Sequence, residues 1–184
     1  FGISALAGLG MVLLSQVWLL IPIGIAAIAA AWFYTGGSKP YGYAGYGELF
    51  VFVFFGLVAV AGTTASQTGQ VSILSLLGGV ACGALSTAIL VANNLRDIPT
   101  DRVVGKRTLA VRLGDQRTRY LYVALMVLGV LSGSGGAFWN PWLSLVLATG
   151  IFVMLPISKV RAGATGADLI EVLGDTGRSQ LILG

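Results

Sequence analysis

The chain has 184 residues, of which 56% are hydrophobic and 10% are charged, and its net charge is +4. Because a soluble domain usually carries about 25% charged residues, this composition excludes an ordinary soluble protein and indicates several membrane helices. The chain contains no histidine and a single cysteine, Cys82, which excludes imidazole metal sites, histidine base catalysis and a disulfide within the chain.

The apolar runs predict an all-α, polytopic transmembrane bundle. Crossing a bilayer takes roughly 20 apolar residues in a helix. The predicted helical runs, in chain order, are 1–15, 17–34, 48–67, 71–92, 120–131 and 141–157. The first run is too short to span by itself, and the apolar residues 181–183 open a further run. We therefore expect residues 1–184 to form one membrane domain, truncated at both ends, of a longer protein.

Three polar segments separate these runs on one side of the predicted bundle. Residues 35–47 are rich in glycine and tyrosine, which is typical of a turn at the membrane interface. Residues 102–119 form a basic loop. Residues 159–177 are polar, with a short apolar stripe at 169–173 that suits a helix lying in the interface.

The basic residues orient the bundle, because all 11 of them lie in or beside these segments. The opposite loops, near residues 15, 68 and 134, contain none. The positive-inside rule therefore places the basic side in the cytoplasm of a multi-pass protein of the inner or plasma membrane. Since the lipid bilayer explains these charges, we expect no nucleic-acid partner. The basic residues are Lys39, Arg96, Arg102, Lys106, Arg107, Arg112, Arg117, Arg119, Lys159, Arg161 and Arg178.

A row of oxygen-bearing side chains follows the fourth apolar run. Asn93, Asp97 and Asp101 are spaced four residues apart, so on a helix they share one face. Carboxylate and amide oxygens suit a hard cation such as Mg²⁺, which also binds phosphate oxygens. Pro99 predicts that the helix ends or kinks near Asp97 and leaves Asp101 on the following loop. The alternative interpretation is a solvated, charged loop between two membrane helices.

Basic side chains that suit a diphosphate lie near this row. The two loops 34–48 and 93–108 are predicted on the same side of the membrane, so four cations converge there. A cluster of charged side chains at the end of an apolar helix bundle fits a substrate with a charged group and a hydrocarbon tail. A polyprenyl diphosphate has that shape. The candidate diphosphate ligands are Lys39, Arg102, Lys106 and Arg107.

Two stretches of this chain resemble the UbiA-type intramembrane aromatic prenyltransferases. The first is Asn-Asn-Leu-Arg-Asp-Ile-Pro-Thr-Asp at 93–101 with Gly-Lys-Arg-Thr-Leu-Ala-Val-Arg-Leu-Gly at 105–114, similar to the family's second aspartate-rich motif. The second is Tyr-Thr-Gly-Gly-Ser-Lys-Pro-Tyr-Gly-Tyr at 34–43 with Gly-Glu at 47–48 and Phe-Phe-Gly at 54–56. It resembles the branch that acts on 1,4-dihydroxy-2-naphthoate. The family's first aspartate-rich motif is not among these residues, and we expect it before Phe1.

The resemblance implies a nine-helix bundle around a central cavity and a Mg²⁺-dependent transfer of a polyprenyl group from polyprenyl diphosphate to 1,4-dihydroxy-2-naphthoate. Diphosphate and CO₂ leave, and demethylmenaquinone of the menaquinone pathway is formed. By position, Asn93, Asp97 and Asp101 would bind the metal. The diphosphate would bind Lys39 and Lys106, together with Arg102 and Arg107. Lys39, Asp97 and Asp101 are therefore the implied catalytic residues.

Tyr34 and Glu48 are implied to contact the aromatic substrate or a metal-bound water. Each has another interpretation, Tyr34 as a residue of the interfacial tyrosine belt and Glu48 as an acid at a helix N-terminus. Two other functions remain open: the same chemistry on another acceptor, such as 4-hydroxybenzoate or a chlorophyllide-like ring, and a non-catalytic transporter. The transporter is disfavoured because Glu48, Asp97 and Asp101 lie at one face and not along a path through the bilayer.

Overall fold

The computed structural model describes residues 1–38 and 40–183, and within them it shows helices and turns only. This confirms the predicted all-α fold. Among the described residues, four segments are long and apolar enough to cross a membrane: Gly47–Thr68, Ile73–Val103, Asp115–Phe138 and Pro141–Arg161. The helices are α1 (Gly2–Ser15), α2 (Leu20–Thr35), α3 (Gly47–Thr68), α4 (Ile73–Val103), α5 (Leu109–Leu113), α6 (Asp115–Gly135), α7 (Gly150–Arg161) and α8 (Asp168–Leu183), with 3₁₀ segments at Tyr41–Ala44, Gly136–Phe138 and Pro141–Thr149.

Helix α4 is the central element of the bundle. It begins at a capping box, in which the side chains of Ser72 and Ser75 each accept a hydrogen bond from the other residue's backbone N–H. It runs for 31 residues, which is about 46 Å. Its inner face is rich in alanine, which lets α3, α6 and α8 pack close to it. The buried core residues of α4 are Ala84, Leu85, Ala88, Val91, Ala92, Leu95 and Ile98.

Helix α3 makes a close backbone contact with α4 through glycine. Residues Phe52–Val58 of α3 form a π-helical segment, which brings Gly56 against the backbone of α4. A Cβ atom on Gly56 would lie 2.5 Å from the carbonyl oxygen of Gly79 and 2.5 Å from the Cα of Gly83. The small-residue pair Gly79 and Gly83 therefore permits backbone contact that no other residue type would allow.

The predicted end of the helix near Asp97 is wrong, because α4 continues through Pro99 to Val103. Pro99 is exposed and lies within the last two turns of the helix. The hydroxyl of Thr100 donates to the carbonyl oxygen of Asp97 at 2.9 Å. Asp101 is consequently helical and not on a loop.

The C-terminal part also differs from the sequence prediction. The polar segment 159–177 is not one loop, because α7 continues to Arg161 and α8 begins at Asp168. Leu169 and Val172 are buried in the core and do not lie free in the interface. Residues 181–183 lie within α8, as does Arg178.

The basic segment 102–119 is mostly helical as well. It contains the end of α4, the short helix α5 and the first turn of α6, which starts at Asp115 and not at Tyr120. Arg119 bonds Asp115 at 2.7 Å and donates to the carbonyl oxygens of Val160 and Ala164 at 2.7 and 3.0 Å. The bonds from Arg119 satisfy backbone carbonyl groups at the end of α7, and they connect that end to α6.

Substitution of Gly56 by alanine tests the glycine contact. We expect Gly56→Ala to destabilise the protein by roughly 2 kcal/mol, because the new methyl group must push the α3 and α4 backbones apart. The measurement is thermal unfolding of the detergent-solubilised protein. Gly24→Ala is the matched control, since a Cβ on Gly24 meets nothing within 4 Å. Equal melting temperatures for the two variants would contradict this packing.

Candidate functional site

The Asn93, Asp97 and Asp101 side chains, which we call the Asn/Asp row, extend along one face of the last three turns of α4. Arg96 binds two of its members. Its Nε donates to Asp97 Oδ1 at 2.8 Å and its Nη2 to Asp97 Oδ2 at 3.0 Å. The same Nη2 donates to Asn93 Oδ1 at 2.8 Å. One guanidinium group therefore bridges the carboxylate of Asp97 and the amide oxygen of Asn93.

Asp101 has a different cationic partner. Its side chain is buried, with the residue only 5% exposed, and Lys106 Nζ lies 3.2 Å from its Oδ1. The backbone reverses at Gly105, whose φ of 77° is a left-handed conformation that favours glycine. This turn returns Lys106 to the helix end, where its N–H donates to the Asp101 carbonyl oxygen at 2.9 Å. The hydrogen bond to Asp101 raises the pKa of the Lys106 ammonium above its ordinary value, so Lys106 is charged at physiological pH.

The glycine- and tyrosine-rich loop contacts the loop after α4, as expected for two loops on the same face. The N–H of Arg107 donates to the carbonyl oxygen of Tyr43 at 2.9 Å. Lys106 Nζ lies 4.8 Å from the centre of the Tyr43 ring, a cation–π distance. Gly45, with φ of 84°, packs against the Arg107 carbonyl oxygen and the Arg112 side chain. The two loops therefore form one structural unit.

Glu48 is buried at the start of α3, with 6% of its surface exposed. Asn94 Nδ2 donates to Glu48 Oε1 at 2.9 Å, so Glu48 contacts the residue next to Asn93. The Tyr34 hydroxyl lies next to Gly47, the residue before Glu48, because a Cβ on Gly47 would be 3.3 Å from its oxygen. Tyr34, Glu48 and Asn94 thus form a polar cluster adjoining the Asn/Asp row.

An apolar groove opens beside this cluster between α2 and α3. Its volume is about 710 Å³, and Tyr34 forms part of its wall. Three aromatic rings follow one another along it: the Tyr41 and Phe50 centroids are 4.2 Å apart, and those of Phe50 and Phe54 are 6.0 Å apart. The groove can accommodate a hydrocarbon or an aromatic ring next to polar groups.

The structure brings together some of the predicted site residues but not all of them. Asn93, Asp97, Asp101 and Lys106 form one group, and Tyr34 and Glu48 form the adjoining one. The side chains of Arg102 and Arg107 are exposed and make no hydrogen bond within the described parts of the chain. Lys39 lies outside the described residues.

Sequence reasoning missed two contributors, Arg96 and Asn94. Arg96 lies three residues after Asn93 and beside Asp97. That spacing already places a cation within reach of an i, i+3 neighbour. Asn94 offered no comparable signal, since its partner Glu48 is 46 residues away in the sequence.

The oxygen donors of the Asn/Asp row are of the kind that Mg²⁺ prefers. Within residues 1–38 and 40–183, no group of three or more acidic, cysteine or histidine side chains could enclose a metal. Mg²⁺ does not require such a cage, because it keeps several waters and uses one or two carboxylates together with substrate phosphates. Asp97 and Asp101 with the Asn93 amide fit that pattern, and Arg96 and Lys106 show that both carboxylates attract cations.

Comparisons with known proteins agree on one family. The model of the UbiA prenyltransferase family matches residues 1–168. A 1,4-dihydroxy-2-naphthoate octaprenyltransferase of Mycobacterium tuberculosis is 52% identical over 98% of this chain and 61% of the relative. The enzyme of the same name from Escherichia coli is 45% identical over 57% of this chain and 34% of its own. The human UbiA prenyltransferase domain-containing protein 1 is 32% identical over 67% of this chain and 38% of its own.

No solved structure gives a significant match. The chain spans about three fifths of the length of the mycobacterial relatives. The family model covers most of the chain, and the identity to the Mycobacterium tuberculosis protein extends over almost all of it. The chain therefore belongs to the UbiA prenyltransferase family.

Proposed function

We propose that the protein transfers a polyprenyl group from polyprenyl diphosphate to 1,4-dihydroxy-2-naphthoate, with release of diphosphate and CO₂. The observation that carries this proposal is the Asn/Asp row on α4, beside Lys106 and an apolar groove. A polyprenyl diphosphate needs both surfaces, because its diphosphate is charged and its prenyl chain is apolar. The acceptor is supported by the names of the mycobacterial relatives, which are about half identical to the chain.

Asn93, Asp97 and Asp101 would hold Mg²⁺ together with the diphosphate oxygens. When bound, the ion would neutralise negative charge on the departing diphosphate. Lys106 is well placed for the same task, since it already pairs with Asp101 at the end of α4. Lys39, Arg102 and Arg107 would be the other positively charged side chains around the diphosphate.

The reaction needs charged groups around the departing diphosphate and a surface that excludes water around the prenyl carbon. The allylic C–O bond breaks, and its electron pair leaves with the diphosphate. The naphthoate ring then forms a C–C bond to the prenyl carbon, and the carboxylate leaves as CO₂ while its bonding electrons return to the ring. The aromatic wall of Tyr41, Phe50 and Phe54 would keep water from the carbocation.

We place the protein in the cell's inner or plasma membrane, with the loops 34–48 and 93–108 in the cytoplasm, and regard residues 1–184 as part of one membrane domain. The arrangement of basic residues supports this orientation. Substrates with long prenyl chains would then remain in the bilayer while their diphosphate reaches the cytoplasmic surface.

Asp97→Asn and Asp101→Asn test the metal role. Each should lower turnover by about a hundredfold, because a neutral amide binds a divalent cation less well and leaves the departing charge less stabilised. The assay uses membranes containing the whole gene product, a polyprenyl diphosphate, 1,4-dihydroxy-2-naphthoate and Mg²⁺. Asp168→Asn, an exposed acid at the start of α8, is the control and should keep full activity. Intact turnover in both row variants would refute the metal role.

The acceptor is tested in the same membranes by competition. We expect 4-hydroxybenzoate in tenfold excess to leave transfer to the naphthoate unchanged, since the two acceptors differ by a whole fused ring. The measurement is radiolabelled prenyl incorporation into each product. Preferential prenylation of the benzoate would keep the enzyme class and overturn the acceptor.

Glu48→Gln tests the polar cluster. The amide preserves the size of the side chain and its hydrogen bond with Asn94 but removes the negative charge. If Glu48 contacts the acceptor, KM for the naphthoate should rise about tenfold while KM for the prenyl diphosphate stays the same. Leu49→Gln, an exposed neighbour on α3, serves as the comparison. Equal effects on both KM values would argue against acceptor contact.

A further inference from the structure

We infer that Arg96 is a counter-cation of the Asn/Asp row: it binds the oxygens of Asn93 and Asp97, leaves them when a divalent cation binds, and then binds the diphosphate. This inference rests on the proposed function and adds a coupling between metal and diphosphate binding at the same site. The sequence motif alone did not indicate it.

The first observation is the position of the guanidinium group. It makes three hydrogen bonds of 2.8, 2.8 and 3.0 Å, two to the carboxylate of Asp97 and one to Asn93 Oδ1. Those are the oxygens that a divalent cation would use. The positively charged guanidinium group of Arg96, the residue before Asp97, therefore already occupies part of the proposed metal site.

The second observation is the charge balance of the row. Asp97 is paired with Arg96 and Asp101 with Lys106. Two negative charges thus face two positive side chains, and a divalent cation carries the charge of the pair that it would replace. After the exchange, two released cations can neutralise a diphosphate, and the planar fork of Arg96 suits two phosphate oxygens at once.

The third observation is that Arg96 and its partner Asp97 are both partly exposed. Its side chain is 29% exposed and that of Asp97 is 31% exposed, so the ion pair is not sealed in the core and the long stem can swing without unpacking α4. By contrast, Leu95 and Ile98 on either side are buried and fix the helix itself. The helix stays in place while the guanidinium changes partner.

If Arg96 exchanges with a metal ion, the affinity of the site for that ion depends on whether diphosphate is present. A metal ion alone must compete with Arg96, whereas a metal ion with diphosphate gains a new partner for the displaced arginine. Binding of the two ligands should therefore be cooperative, and by linkage each raises the affinity of the other equally. Removing the arginine should strengthen metal binding and weaken the cooperativity.

The experiment measures Mn²⁺ binding to the detergent-solubilised whole gene product by electron paramagnetic resonance, with and without inorganic pyrophosphate. We expect Arg96→Gln to tighten Kd for Mn²⁺ alone by about tenfold and to reduce the enhancement by pyrophosphate by about tenfold. Arg96→Lys, which keeps the charge but loses the bidentate contact, should give smaller changes in both directions. Arg117→Gln, which removes the same charge from an exposed position on α6, should behave as the unsubstituted protein does.

The outcomes separate the competing roles of Arg96. Weaker Mn²⁺ binding in Arg96→Gln, with Arg96→Lys intact, would make the arginine a scaffold for the row and overturn the exchange. An unchanged Kd for Mn²⁺ in both variants would also overturn it. If the unsubstituted protein binds no Mn²⁺ even with pyrophosphate, the metal role in the proposed function fails together with the inference.

Discussion

The site depends on one constraint, the continuity of helix α4 from the middle of the bundle to its end. Small side chains on its inner face allow α3, α6 and α8 to pack close to it, so that buried Leu95 and Ile98 hold its last turns in place. The Asn/Asp row lies on the same turns. Its oxygens are therefore spaced by a rigid helix and not by a loop, which is the kind of support that binding groups need.

Ionic pairing at the end of α4 reflects the cost of charge near the membrane. Acidic side chains at the end of a membrane-spanning helix need partners, and each carboxylate of the row has one: Arg96 for Asp97 and Lys106 for Asp101. Lys106 also contacts the ring of Tyr43, so the same cation joins the acidic row to the aromatic loop. Charge neutralisation, loop packing and the proposed diphosphate chemistry thus use the same few side chains.

The sequence revealed the helical class and the row, because long apolar runs can cross a membrane only as helices and a four-residue spacing fixes a helix face. It misplaced the end of α4, since the proline rule is local, whereas α4 continues past an exposed Pro99 to Val103. It also missed the contact of Glu48 with Asn94, which is set by how α3 packs on α4. The position of the Arg96 guanidinium is a matter of side-chain rotamer, which spacing alone does not determine.

The π-helical segment of α3 has a geometric effect on that packing. In a regular α-helix each residue turns about 100°, so positions 48 and 56 would point about 80° apart. The wider turns at Phe52–Val58, with their i→i+5 bonds, take up the difference and align the two positions. The carboxylate of Glu48 and the bare backbone of Gly56 can then both face α4. One added residue within a helical turn thereby lets a single helix present a polar contact at its start and a glycine contact about two turns further along.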